Sequence, residues 1–131
     1  MRIFLALAAA LLSFPTAAGQ SCGIPCKIDK GLRGDGDAAL EVAQESRRTQ
    51  TPEIISNWLR IAAENGSATG QWEYGVWLVD NAQSRQDCIR AVYWLGKAAQ
   101  GGHDQAGAAI EKIQAFLNSH SQDTEACRGA L

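Results

Sequence analysis

Trp58-Leu59-Arg60-Ile61-Ala62-Ala63-Glu64-Asn65-Gly66 returns 36 residues later as Trp94-Leu95-Gly96-Lys97-Ala98-Ala99-Gln100-Gly101-Gly102. Aligning Thr51 to Gly66 with Asp87 to Gly102 gives five identities, at Trp58/Trp94, Leu59/Leu95, Ala62/Ala98, Ala63/Ala99 and Gly66/Gly102, where composition alone gives roughly one. Each copy carries the punctuation of two helices. Thr51 stands at a cap position, Pro52 at the first helical position and Glu53 where it complements the macrodipole. Asn65-Gly66 then supplies a left-handed stop, and Ser67 caps a second helix reaching about Asp80. In the second copy the pattern predicts helices from about Gln86 to Gln100 and from about Asp104 to Asn118. No stretch alternates with period two for long enough to suggest a strand.

The residue types explain how such helices pack. Trp72, Tyr74, Val76, Trp77 and Val79 are too dense for a helix with one wet face, so burial between neighbours is expected. Ala62-Ala63 and Ala98-Ala99 keep the ends of the first helices slim, and Gly70/Ala106 and Gly75 do the same for the second ones. Trp58 and Trp94 are expected to fill the space between units.

Asp87-Cys88-Ile89-Arg90-Ala91-Val92-Tyr93-Trp94-Leu95-Gly96-Lys97-Ala98-Ala99-Gln100-Gly101-Gly102-His103 resembles the Sel-one-like repeat (SLR), a tetratricopeptide-type αα-hairpin. Ala62-Ala63-Glu64-Asn65-Gly66 through Gln71-Trp72-Glu73-Tyr74-Gly75-Val76 continues the same pattern, and about 70 residues are covered. Two departures stand out. Asp80-Asn81-Ala82-Gln83-Ser84 replaces the glycine-rich loop between hairpins, with Asn81 tolerant of a left-handed turn. Ala106-Gly107-Ala108-Ala109-Ile110 lacks the usual Leu-Gly pair, as a degenerate terminal unit would.

The flanks complete the expected organisation. Met1-Arg2, the apolar run Ile3 to Phe14 and the small-residue stretch Thr16-Ala17-Ala18-Gly19 read as a Sec-type signal peptide over residues 1–19. Gly19-Gln20-Ser21 lacks the apolar residue that a lipidated Cys22 would require. Residues 20–34 are an N-terminal arm, 35–48 a capping helix, 51–86 the first repeat, 87–119 the second, and 120–131 a tail. The expected fold class is all-α, a short αα-hairpin solenoid of two repeats plus a capping helix, stapled by disulfides. About three stacked units are needed for a continuous core, so the ends must be covered.

Four cysteines allow three pairings, and an even count behind an export signal reads as structural staples. In an antiparallel hairpin the chain after the second helix returns towards the start of the first. This brings Cys127 towards Cys88 and leaves Cys22 with Cys26. The Cys-x-x-x-Cys spacing suits neither a zinc site nor a thioredoxin-type motif, so no metal and no cofactor are expected.

With 12 Lys+Arg against 14 Asp+Glu, the chain has no electrostatic footprint of a nucleic-acid binder, and it has no run suited to a membrane span. His103 occupies a repeat turn and His120 the tail, Glu41/Glu45 read as a solvated helix face, and no hydrolase or phosphate-loop pattern occurs. A binding surface remains. Positions on the first helix of each repeat that the repeat core leaves free are Glu53, Asn57, Arg60 and Glu64, then Ile89, Arg90, Tyr93, Lys97 and Gln100. Ile89 and Tyr93 form a small apolar spot flanked by Arg90 and Lys97, a composition that interface hot spots favour. The expectation is a periplasmic or secreted protein-binding module without catalysis, its partner an envelope protein or a toxin that it neutralises as an immunity protein, with self-association a further mode. Resemblance to cysteine-rich secreted SLR proteins associated with penicillin-like compounds implies a third alternative, binding or hydrolysis of β-lactams.

Overall fold

The computed structural model describes residues 21–122 and 125–131, so the expected leader at 1–19 lies outside the described residues. The described residues form six helices and no strand: α1 (Ile24–Leu32), α2 (Gly36–Ser46), α3 (Pro52–Glu64), α4 (Ala68–Asp80), α5 (Arg85–Gln100) and α6 (Ala106–Ser119). Each packs mainly on its neighbours in the chain, which makes three successive hairpins, α1/α2, α3/α4 and α5/α6.

A left-handed glycine separates the helices of every hairpin. Gly34, Gly66 and Gly102 have φ of 102°, 84° and 87°. Beyond each, the next N–H reaches back to a carbonyl in the last helical turn: Asp35 to Lys30 at 3.0 Å, Ser67 to Ala62 at 3.1 Å and His103 to Ala98 at 2.9 Å. This satisfies carbonyls that the helix ends would otherwise strand, at a conformation that only glycine adopts without strain. Four residues after each stop comes a small buried residue, Ala38, Gly70 or Ala106. At Gly70 the need is steric, since a Cβ there would lie 2.7 Å from Ala62 Cβ.

The first hairpin corrects the expectation of an arm followed by a lone capping helix. Its stop, Gly34, lies 32 residues before Gly66, so it falls out of register with the offset of 36. Nine residues also carry little periodicity, and so short a helix is held by tertiary contacts. Lys27 provides one of them. Its ammonium bonds Glu41 at 2.8 Å and Glu45 at 2.5 Å on α2, which raises its pKa, and its side chain is only 19% exposed. The Glu41/Glu45 pair is therefore one half of a clamp and not a freely solvated face.

The core runs through all three hairpins. Ala39 and Ala43, Leu59 and Ala62, Val79, Cys88, Ala91 and Leu95, and Ile113 belong to one buried cluster. Trp58 and Trp94 are half-buried on its margin, while Leu59 and Leu95 beside them are fully enclosed. Trp94 meets Tyr74 of the first repeat edge-on, in the space between units where it was expected. Ala99, unlike its counterpart Ala63, is exposed.

Ser67 is the expected cap of α4, whereas Thr51 and Asn81 depart from expectation. Ser67 accepts the Gly70 N–H at 3.2 Å and donates to Asp37 at 2.6 Å, joining α4 to α2. Thr51 makes no side-chain cap; its hydroxyl serves the Glu53 carboxylate, which is held below the ordinary glutamate range by that bond and by its own backbone N–H. Asn81 stays right-handed, with φ −106°, and its amide donates to the Trp77 carbonyl at 2.9 Å.

Both disulfides join the expected partners. Cys22–Cys26 and Cys88–Cys127 have Cα separations of 5.5 and 5.8 Å. The second bridge fixes the tail to α5, and Cys127 is wholly buried. Arg85 donates to the carbonyls of Leu117 and His120 at 2.9 and 2.6 Å, and Arg128 to that of Ala82 at 2.9 Å.

Candidate binding face

Equivalence across the repeat places Glu53 with Ile89, Ile54 with Arg90, Asn57 with Tyr93, and Glu64 with Gln100. Glu53, Asn57, Arg60 and Glu64 on α3, and Ile89, Tyr93, Lys97 and Gln100 on α5, follow one another at intervals of three and four, so each set forms one stripe. Every expected position is exposed: Glu53, Asn57, Arg60 and Glu64 on α3, and Ile89, Arg90, Tyr93, Lys97 and Gln100 on α5. Ile54 belongs beside them, at 38% exposure, with Ile89 at 46% and Tyr93 at 56%.

Two of the charges on this face pair with each other, and a third lies over an aromatic ring. Arg60 bonds Glu64 at 2.8 Å one turn along α3, and Lys97 lies 5.8 Å from the centre of the Tyr93 ring. Arg60 and Glu64 satisfy each other, and the apolar side chains beside them have the most to gain from a partner.

Between α3 and α5 lies a groove of about 400 Å³, floored by Tyr74, Trp77 and Leu78 of α4 and bordered by Ser56, Asp87 and Arg90. An aromatic series leads into it from the face. Tyr93 meets Trp94 edge-on with centroids 5.1 Å apart, Trp94 meets Tyr74 edge-on at 5.6 Å, and Tyr74 stacks on Trp77 at 6.3 Å. Of the groove residues, only Arg90 was among the expected positions. Ile54 was legible as the repeat counterpart of Arg90; Tyr74 and Trp77 belonged to a helix whose dense apolar pattern speaks of burial and hides which edge faces a groove.

The histidines sit apart from this face. His103 stacks on Trp72 with centroids 4.6 Å apart, and its Nδ1 is buried without a hydrogen-bond partner. His120 stacks on Phe116 at 4.1 Å and closes the end of α6 with Ser119, whose hydroxyl also bonds the Ala115 and Phe116 carbonyls at 3.0 Å. Among the described residues no group of three or more His, Cys, Asp or Glu side chains gathers as metal ligands would. A second depression, about 510 Å³, opens on the side of α4 and α6, between Trp72 and Val76 on one wall and Ala108 and Lys112 on the other. No family model, curated protein or solved structure matches the chain.

Proposed function

We propose that this chain is an exported, SLR-type helical-repeat protein that binds another protein through the face of α3 and α5 and carries out no reaction of its own. The observation that carries the reading is the exposure of three apolar side chains, Ile54, Ile89 and Tyr93, on the corresponding faces of α3 and α5. Scattered single apolar residues are ordinary on a surface; a set gathered on one face is what an interface core needs. Export is supported by the composition of residues 1–19 and by two disulfides, which persist in oxidising compartments. No helix of the described residues is long and apolar enough to cross a membrane.

The test is capture from an envelope fraction by the disulfide-bonded protein, followed by identification of what is bound. Tyr93→Ala and Ile89→Ser should weaken the complex by roughly tenfold or more while thermal stability stays unchanged, since both side chains are largely outside the core. Unaltered affinity in both variants places the interface elsewhere. Hydrolysis of a β-lactam or a cell-wall substrate at an enzyme-like rate, abolished by one substitution, overturns the non-catalytic reading. A captured toxin, as opposed to a resident envelope protein, would specify an immunity role.

A further inference from the structure

We propose that the groove between α3 and α5 receives a carboxylate of the partner polypeptide, held by the Tyr74 phenol and the Arg90 guanidinium. The proposal rests on the protein-binding reading above and names the chemistry that the partner brings.

Tyr74 is 4% exposed, with its ring among Trp77 and Trp94 and its hydroxyl at the floor of the groove. That hydroxyl accepts from Arg90 at 3.5 Å, yet its own proton has no acceptor among the described residues. A buried phenol ordinarily finds one, so this donor is directed at something that enters from outside.

Arg90 is similarly under-used. Its side chain is half exposed, and its contact with Asp87 is 3.5 Å long, whereas the other ion pairs among the described residues are 3.0 Å or shorter. Asp87 is engaged elsewhere, because its Oδ2 accepts the Gln83 N–H at 3.0 Å and the Ser84 hydroxyl at 3.2 Å, closing the start of α5. A guanidinium has five N–H groups in a planar fork. Two donors of different kinds, 3.5 Å apart at the floor of one groove, match the two oxygens of a carboxylate, one taking the phenol proton and the other the guanidinium.

The surroundings select the ligand further. A single arginine beside an aspartate suits a singly charged carboxylate better than a phosphate dianion, which Asp87 would repel. Trp77 and Leu78 line the floor next to the donors, and Ile54, Ile89 and Tyr93 lie on the neighbouring face. An apolar side chain next to the carboxylate therefore has a place to go, and a polypeptide can supply both. A chain terminus and an Asp or Glu side chain offer the same chemistry.

The experiment is an NMR titration of the disulfide-bonded protein, following the Trp77 indole N–H and the Arg90 Nε–H. N-acetyl-leucine supplies a terminal carboxylate, N-acetyl-glutamyl-leucinamide a side-chain carboxylate, and N-acetyl-leucine N-methylamide none. At least one acid should shift both signals saturably, and which acid does so identifies the source. Arg90→Gln and Tyr74→Phe should each weaken that binding roughly tenfold, since each removes a charge-assisted hydrogen bond. Asp87→Asn should strengthen it severalfold. Equal binding of the N-methylamide, shifts confined to other surfaces, or no response to either acid overturns the proposal. Should that happen while capture of a partner still depends on Tyr93, the binding face stands without its carboxylate site; loss of both removes both.

Discussion

Gly70 and Gly96 are both helical, and the same change to alanine is expected to act with opposite sign at the two. At Gly70 the new methyl meets Ala62 Cβ at 2.7 Å and its carbonyl carbon at 3.1 Å, neither of which can swing aside. Gly70→Ala should therefore destabilise by about 1–3 kcal/mol, the usual range for overpacking a close helix contact. At Gly96 nothing lies within 4 Å, so Gly96→Ala should stabilise by about 0.5–1 kcal/mol by restricting the unfolded chain. Urea unfolding of the two variants checks this, and a matching sign would show that α3 and α4 are not in the contact described. Glu53 gives a second residue-scale prediction. Because its folded pKa is depressed, its carboxylate stabilises the folded start of α3 above the ordinary glutamate range, a contribution lost as pH falls through the folded value. In Thr51→Val the ¹³C-monitored titration of Glu53 should move up towards the ordinary range; an unmoved midpoint would mean that the Thr51 hydroxyl is not its partner.

The helices differ in what holds them, and this decides how legible each was. α3 to α6 declare themselves through Pro52, Ser67, Gly66 and Gly102 and through apolar residues in register with a copy of themselves. α1 has no such copy at the same spacing. It depends on Lys27 reaching two carboxylates of α2 and on Gly31 lying against Ala39, contacts that no local pattern contains. The groove was hidden for a related reason: Ser56, Tyr74 and Arg90 come from three helices, and only packing reveals that they share it. At this scale the two disulfides should prove unequal. Cys88–Cys127 closes a separation of 39 residues and Cys22–Cys26 one of 4. On the chain-entropy model their removal costs roughly 4 and roughly 2 kcal/mol respectively. Chemical denaturation of Cys88→Ala/Cys127→Ala and of Cys22→Ala/Cys26→Ala variants should reproduce that order. Proteolysis at the tail should rise in the first variant alone, because Cys127 anchors it to α5; the reverse order would assign the tail a different anchor.

For the molecule as a whole, three hairpins form one continuous buried cluster from Ala39 to Cys127, which gives the short chain the stack its two recognisable repeats could not build alone. Such a stack holds its outer positions rigidly, and rigidity lowers the entropic cost of docking a partner. The central claim is that this rigid scaffold presents α3 and α5 to another protein. Its most direct test is photo-cross-linking in cells expressing the full chain, with a diazirine amino acid placed in turn at Asn57, Ile89 and Tyr93, and at Glu111 and Gln114, exposed positions on α6. The account predicts one discrete adduct shared by the first three positions and none at the last two; adducts confined to α6, or no adduct from α3 and α5 in cells where α6 gives one, would contradict it.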